Sequence, residues 1–172
     1  RRALREGEIL DIYRYKTARY SFSLPLAAGW LLGGGPARAL PALDRLGEDL
    51  GLVFQIKDDE LGLFGSASAT GKPVGSDVRQ GKKTLFSLGL AARASGADRR
   101  RLESVLGRGD ASNDDVRFVR DQAERLGVRA DVLEAAAGLA RRAAGRIRRL
   151  PVAERHRDLL LSLLGYSLSR RS

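Results

Sequence analysis

The chain has 172 residues, a net charge of +10, and 43% hydrophobic but only 6% aromatic residues. That is enough for one domain, 1–172, with a core of Leu, Ala and Val, a mix that favours helices over strands. With no cysteine and a single histidine, His156, it excludes disulfide scaffolds, thiol catalysis and Cys-ligated zinc, and argues against His-cluster metal sites and a Ser-His-Asp triad. A metal, if used, should be a hard, oxygen-ligated one such as Mg2+. Arg141, Arg142, Arg146, Arg148, Arg149, Arg155 and Arg157 crowd one late segment. No basic–aromatic interleaving accompanies them, so they read as solvated helix faces and no nucleic-acid partner is expected. The longest apolar run, Phe22 to Gly35, is too short for a membrane helix and contains Pro25, so stable membrane insertion is not expected. No signal peptide is visible, and a cytoplasmic location follows as an expectation. The chain has no methionine, and we expect it to be part of a longer polypeptide.

In chain order, RRALREGEILDI reads as a helical segment, and KTARYSFSLPLAAGWLLG as a second one stopped at Gly33-Gly34-Gly35-Pro36. From Pro41 to Phe64, Leu43, Leu46, Leu50, Val53 and Leu61 recur at helical spacing. A glycine-rich loop is expected from Gly65 to Gly81, then helices over Thr84–Ala94 and Asp98–Leu106. Ser112 opens a capping pattern for Val116–Leu126, and helices over Ala130–Leu150 and Val152–Leu168 flank Pro151. Nothing reads as a strand; the expected fold is all-α, with helices of bundle length. Trp30 is placed in the core or at a dimer interface, and His156 on the surface.

Two acidic pairs stand in contrasting settings. Asp114-Asp115 follow Ser112-Asn113 at a helix start, where the dipole welcomes negative charge, and read as capping residues. Asp58 and Asp59 sit near a helix C-terminus, where they are unfavourable unless something offsets them; Lys57 and Lys72 are candidates. At about 100° per residue, Gln55, Asp58 and Gly62 share a face beside the apolar seam, Gly51 joins them, and Asp59 lies within reach of the same opening. The following loop carries Lys72 in Gly71-Lys72-Pro73 and Lys82 after Gly81. Acids able to hold Mg2+ opposite lysines able to meet phosphate oxygens make a diphosphate clamp.

The run FQIKDDELG…GKPVGSDVRQGKKTL resembles the second aspartate-rich region of the trans-isoprenyl diphosphate synthases, whose pattern is roughly FQxxDDxLD…G…TGKxxGxDxxxGKxT. Phe54, Gln55, Asp58, Asp59, Leu61, Gly65, Thr70, Gly71, Lys72, Gly75, Asp77, Gly81, Lys82 and Thr84 fit it. Lys16-Thr17, with Tyr20 and Pro25, resembles the family's Lys-Thr helix, and Gly7 to Asp11 the segment before it. The resemblance covers the chain as the C-terminal half of a short-chain member. It implies the all-α isoprenoid synthase bundle and Mg2+-assisted ionisation of an allylic diphosphate, with attack by isopentenyl diphosphate. It implies Asp58 as a direct metal ligand, with Asp59 supporting directly or through water, and Lys16, Lys72 and Lys82 as diphosphate ligands. Thr17 and Gln55 would line the reacting centre, with Phe54 beside them; Asp77 would hold the loop rather than the metal.

Three features depart from the family pattern. Gly62 stands where a third aspartate is common, only four residues separate Asp11 from Lys16, as if residues were missing between 11 and 16, and no first aspartate-rich motif is present. The 172 residues are therefore expected to be inactive alone. A homodimer is expected by resemblance, or a heteromer with a chain supplying the first motif. The alternatives are a half-length or non-catalytic subunit and, less favoured, a class I terpene cyclase.

Overall fold

The computed structural model describes residues 5–65 and 75–170. Among the described residues the chain is helical throughout, with no strand: α1 (Glu6–Tyr13), a π-helical segment (Arg14–Ser23), α2 (Leu24–Leu32), a 3-10 turn (Ala37–Ala39), α3 (Leu40–Phe64), α4 (Ser76–Gln80), α5 (Leu85–Arg93), α6 (Gly96–Val105), α7 (Asn113–Arg125), α8 (Val128–Arg148) and α9 (Glu154–Ser169). No described helix is long and apolar enough to cross a membrane.

Most boundaries fall where periodicity and capping place them. Ser112 accepts from the Asp115 N–H at 3.1 Å while the Asp115 carboxylate accepts from the Ser112 N–H at 3.0 Å, a reciprocal cap that satisfies two orphan donors. Asp114 pairs with Arg117 at 3.2 Å. Two elements differ from expectation. The segment after α1 is a ten-residue π-helix, in which the Leu24 N–H donates to the Arg19 carbonyl five residues back. Pro25, near the start of α2, has no N–H and its ring crowds the preceding turn; the wider π register accommodates both, and such segments are rare and often functional. Tyr13 and Ser23 both keep helical dihedrals, so continuous helical backbone joins Asp11 to Lys16. The second difference is α4, a single turn inside the expected loop. It is bounded by Gly75 and Gly81 at φ 75° and 60°, left-handed conformations that glycine adopts without penalty.

Backbone contacts group the chain into two units, one built mainly from the described part of Asp58–Glu134, the other from Leu10–Lys57 with Ala135–Arg170. In the second unit, Leu43, Leu46, Leu50, Val53 and Ile56 of α3 and Ala136, Ala140, Ala143 and Ile147 of α8 are buried. The π-helix lies against α3 backbone to backbone. A Cβ on Gly47 would come within 2.5 Å of Ser23 Cα, and one on Gly51 within 2.3 Å of Ala18 Cα. Buried Asp49 is held by Arg146 at 2.8 Å and Arg142 at 3.7 Å. Trp30 is not a core residue: it is half-buried, folds over Gly35 and donates its indole N–H to the Pro36 carbonyl at 3.0 Å. His156 is exposed.

In the first unit α5 lies against α7. Leu63, Val78, Phe86, Leu90, Val116 and Val119 are buried together in its core, and Phe64 meets Phe86 edge-on at 5.8 Å. Leu61, expected on the seam, is half-buried, and Leu63 takes the buried position.

Candidate diphosphate site

Asp58, Asp59 and Glu60 occupy the last two turns of α3, where the helix dipole disfavours acids. Asp58 is half-buried; Asp59 and Glu60 are each only 4% exposed. Glu60 and the carbonyls at the helix end are met by arginines far away in sequence. Arg129 Nη2 meets Glu60 Oε1 at 2.7 Å, and its guanidinium lies 4.2 Å from the Phe64 ring centre. Burial alone would lower its pKa, but the Glu60 and Glu124 carboxylates more than restore it, leaving it above the ordinary guanidinium value. Arg120 donates to the Leu63 carbonyl and, at 3.0 Å, to that of Gly65, satisfying acceptors that a helix end leaves open. Sequence reasoning named Lys57 and Lys72 for Asp58 and Asp59, and did not foresee these two arginines. The available signal was Arg120 within the Val116, Val119, Ala123 stripe of α7.

Lys82 follows Gly81, the left-handed stop of α4. Its ammonium pairs with Asp77 Oδ1, and its backbone N–H donates to the Asp77 carbonyl at 3.1 Å. Asp59, Asp77, Lys82, Thr84 and Ser87 all line one cavity of about 20 Å³, with Leu63, Val78 and Phe86 among its apolar walls. Thr84 caps α5 in a reciprocal pair with Ser87. The structure brings Asp59 and Lys82 to the same cavity, which has room for about one water. Lys72 lies outside the described residues.

In the other unit, the π-helix carries Lys16 exposed and Thr17 buried. Close approach at Gly47 and Gly51 sets Thr17 beside α3, where its hydroxyl donates to Gln55 Oε1 at 2.6 Å. Phe54 is half-buried, packs on Phe22 at 5.5 Å and lies 4.0 Å beneath the Arg170 guanidinium, which also donates to the Phe54 carbonyl at 3.2 Å. Arg170 carried no sequence signal, since it touches Phe54 across 116 residues.

The donor set suits Mg2+. Among the described residues no group of three or more His, Cys, Asp or Glu is arranged to hold a metal. Magnesium does not need one: it binds through one or two carboxylates and fills its octahedron with water and substrate phosphate oxygens. Asp58 and Asp59, adjacent on one turn and differing in exposure, are the residues that would hold it.

The profile of the Polyprenyl synthetase family matches residues 1–123. The chain is 30% identical over 171 residues to a geranylgeranyl diphosphate synthase of Saccharolobus solfataricus, covering 96% of this chain and 50% of that protein. It is 42% identical over 105 residues to a short chain isoprenyl diphosphate synthase of Methanothermobacter thermautotrophicus, covering 61% of this chain and 32% of the relative. Among solved structures, a geranylgeranyl pyrophosphate synthase from Corynebacterium glutamicum, complexed with isoprenyl diphosphate and magnesium, superposes with a TM-score of 0.88 at 30% identity, covering 96% of this chain and 47% of that one. A polyprenyl synthase from Caulobacter crescentus, complexed with calcium and isoprenyl diphosphate, gives 0.88 at 32% identity, covering 98% and 51%. The chain belongs to the polyprenyl synthetase family, and it spans about half the length of these relatives or less.

Proposed function

We propose that this chain provides the diphosphate-ionising half of a short-chain prenyl diphosphate synthase, joining isopentenyl diphosphate to an allylic diphosphate. The observation that carries the reading is that Asp59 and Lys82 reach one place at the C-terminal end of α3, a water-sized cavity of about 20 Å³ that would form the floor of a diphosphate site rather than enclose it. An acid and an ammonium lining one cavity, on an element whose end is fixed by Arg120 and Arg129, suit a ligand that brings both a metal and phosphate oxygens. In this reading Asp58 and Asp59 hold Mg2+. When bound, the metal neutralises charge on the diphosphate leaving group. Lys82 takes phosphate oxygens as a point charge on a flexible stem; Lys16 and Lys72 are given that role by the family resemblance alone.

Thr17 and Gln55 serve the carbocation side. Their oxygens are the negative ends of neutral dipoles, fixed by the 2.6 Å bond between them, and they steady positive charge without offering an anion to trap it. Phe54 presents an aromatic face for the same purpose.

The test is calorimetric titration of inorganic pyrophosphate into the 172-residue chain. Binding should require Mg2+ and should weaken at least about tenfold in Lys82→Ala, the loss of one charge-assisted contact. Binding that ignores both Mg2+ and Lys82 would refute the reading. Incubated alone with isopentenyl and allylic diphosphates, the chain should give no condensation product, because its sequence carries one aspartate-rich motif.

A further inference from the structure

We infer that Gly62 and Asp77 form a steric pair that positions Lys82, so that Asp77 is a positioning residue for diphosphate binding; the inference rests on the role proposed above for Lys82. Position 62 is where the family resemblance places a third aspartate. Here it is glycine, and the room is used: a Cβ at Gly62 would fall 2.2 Å from Asp77 Oδ2 and 2.8 Å from Asp77 Cγ. The Asp77 carboxylate of α4 is seated directly against the α3 backbone at this place. A side chain at position 62 would push the Asp77 carboxylate out of this seat.

The two carboxylate oxygens are in unlike settings. Oδ1 takes the Lys82 ammonium. Oδ2 is buried, with no hydrogen-bond partner among the described residues, and the Asp77 side chain is 9% exposed. An acceptor left without a donor opposes the burial of this carboxylate, so its seat must be maintained by other contacts. These are the Lys82 ammonium, the Lys82 N–H on the Asp77 carbonyl, the left-handed glycines at both ends of α4, and the Gly107 N–H on the Val78 carbonyl at 2.8 Å. All of them fix the geometry between Asp77 and Lys82, and among the described residues none reaches Oδ2.

The consequence for binding is preorganisation. A lysine on a free stem surrenders its rotamer freedom when it meets a phosphate, whereas one already tethered surrenders less. An ammonium has three donors; Asp77 takes one and two remain for diphosphate oxygens.

The experiment is a pair of double-mutant cycles on the full chain, titrating inorganic pyrophosphate calorimetrically with Mg2+ present and recording circular dichroism and Tm for every variant. Asp77→Asn should weaken pyrophosphate binding about five- to tenfold with the fold retained, because a neutral partner tethers the ammonium less firmly. Gly62→Ala should do the same by displacing the carboxylate. The deciding results are the combinations: Asp77→Asn with Lys82→Ala should bind no worse than Lys82→Ala alone, and Gly62→Ala with Asp77→Ala no worse than Asp77→Ala alone. A merely structural role for Asp77 would instead add to the Lys82→Ala loss. If Gly62→Ala does not fold, the Asp77–Lys82 cycle decides. Asp77→Asn binding as well as or better than the parent, or losses that add, overturns the inference while Lys82 stands. Lys82→Ala binding like the parent overturns both this inference and the proposed function of Lys82.

Discussion

Replacing Arg146 with Met removes the nearer of the two guanidiniums on Asp49. The Asp49 carboxylate is 6% exposed, and its partners are Arg146 at 2.8 Å and Arg142 at 3.7 Å. Breaking a buried ion pair from one side costs about 3–5 kcal/mol. The figure here is reduced because the Arg146 side chain is 31% exposed and Arg142 remains, which gives about 2–3 kcal/mol after allowance for solvent screening. For a chain of this size that lowers Tm by roughly 4–12 °C.

The sign of the pH dependence separates this mechanism from simple loss of packing. Burial raises the Asp49 carboxyl above its usual value of 3.8, against the opposing pull of Arg146 and Arg142. A group whose pKa is raised on folding contributes stability that is complete below the unfolded value and is lost as pH rises through the folded one. Removing Arg146 raises the folded value further, so the penalty should be largest near pH 7 and shrink as pH falls toward 4. Urea denaturation of Arg146→Met and of Asp49→Asn/Arg146→Met across that range measures it. A penalty independent of pH, or one that the Asp49→Asn change does not relieve, would refute the reasoning.

Three further outcomes are expected. Asp58→Ala should weaken Mg2+-dependent pyrophosphate binding by at least about tenfold, as loss of one charged metal ligand predicts, whereas Asp114→Ala, an exposed residue of a helix start, should leave the titration unchanged; equal losses would undo the contrast between the two acidic pairs. Ser112→Ala removes one arm of the reciprocal cap on α7 and should lower stability by about 1 kcal/mol in chemical denaturation. The Asp115 carboxyl is held below its usual 3.8, first by the Ser112 backbone N–H and then by the Ser112 hydroxyl, so its contribution is present above that value and lost as pH falls through the lowered one; Ser112→Ala should flatten this acid limb. Thr17→Val removes the buried hydroxyl that donates to Gln55 Oε1 and should destabilise by about 1 kcal/mol, with Thr17→Ser recovering most of it.

The sequence by itself determined whatever depends on local order. Apolar spacing, Ser112 and Pro151 set the all-helical fold and most helix boundaries, because capping and amphipathic periodicity act within a few residues. The ordered run from Phe54 to Thr84 made the family and the candidate acids and lysines legible, since one helix and its following loop carry them. Even the contrast between Asp58-Asp59 and Asp114-Asp115 was readable, because the dipole's sign depends only on which end of a helix a residue occupies.

Tertiary structure alone decided the partners. Arg120 and Arg129 reach the end of α3, Arg146 reaches Asp49 and Arg170 reaches Phe54 across long stretches of chain; apart from Arg120, set in an apolar stripe, no local pattern distinguishes them from the many that face solvent. The π register after α1 answers Pro25 together with the close approach of the π-helix to α3 at Gly47 and Gly51, so it needed both elements in place. The meaning of Gly62 was open in the same way: in sequence it is a missing acid, and in space it is the room that Asp77 occupies. Helices are fixed by neighbours in the chain, but buried charges are satisfied by neighbours in space, and only folding chooses those.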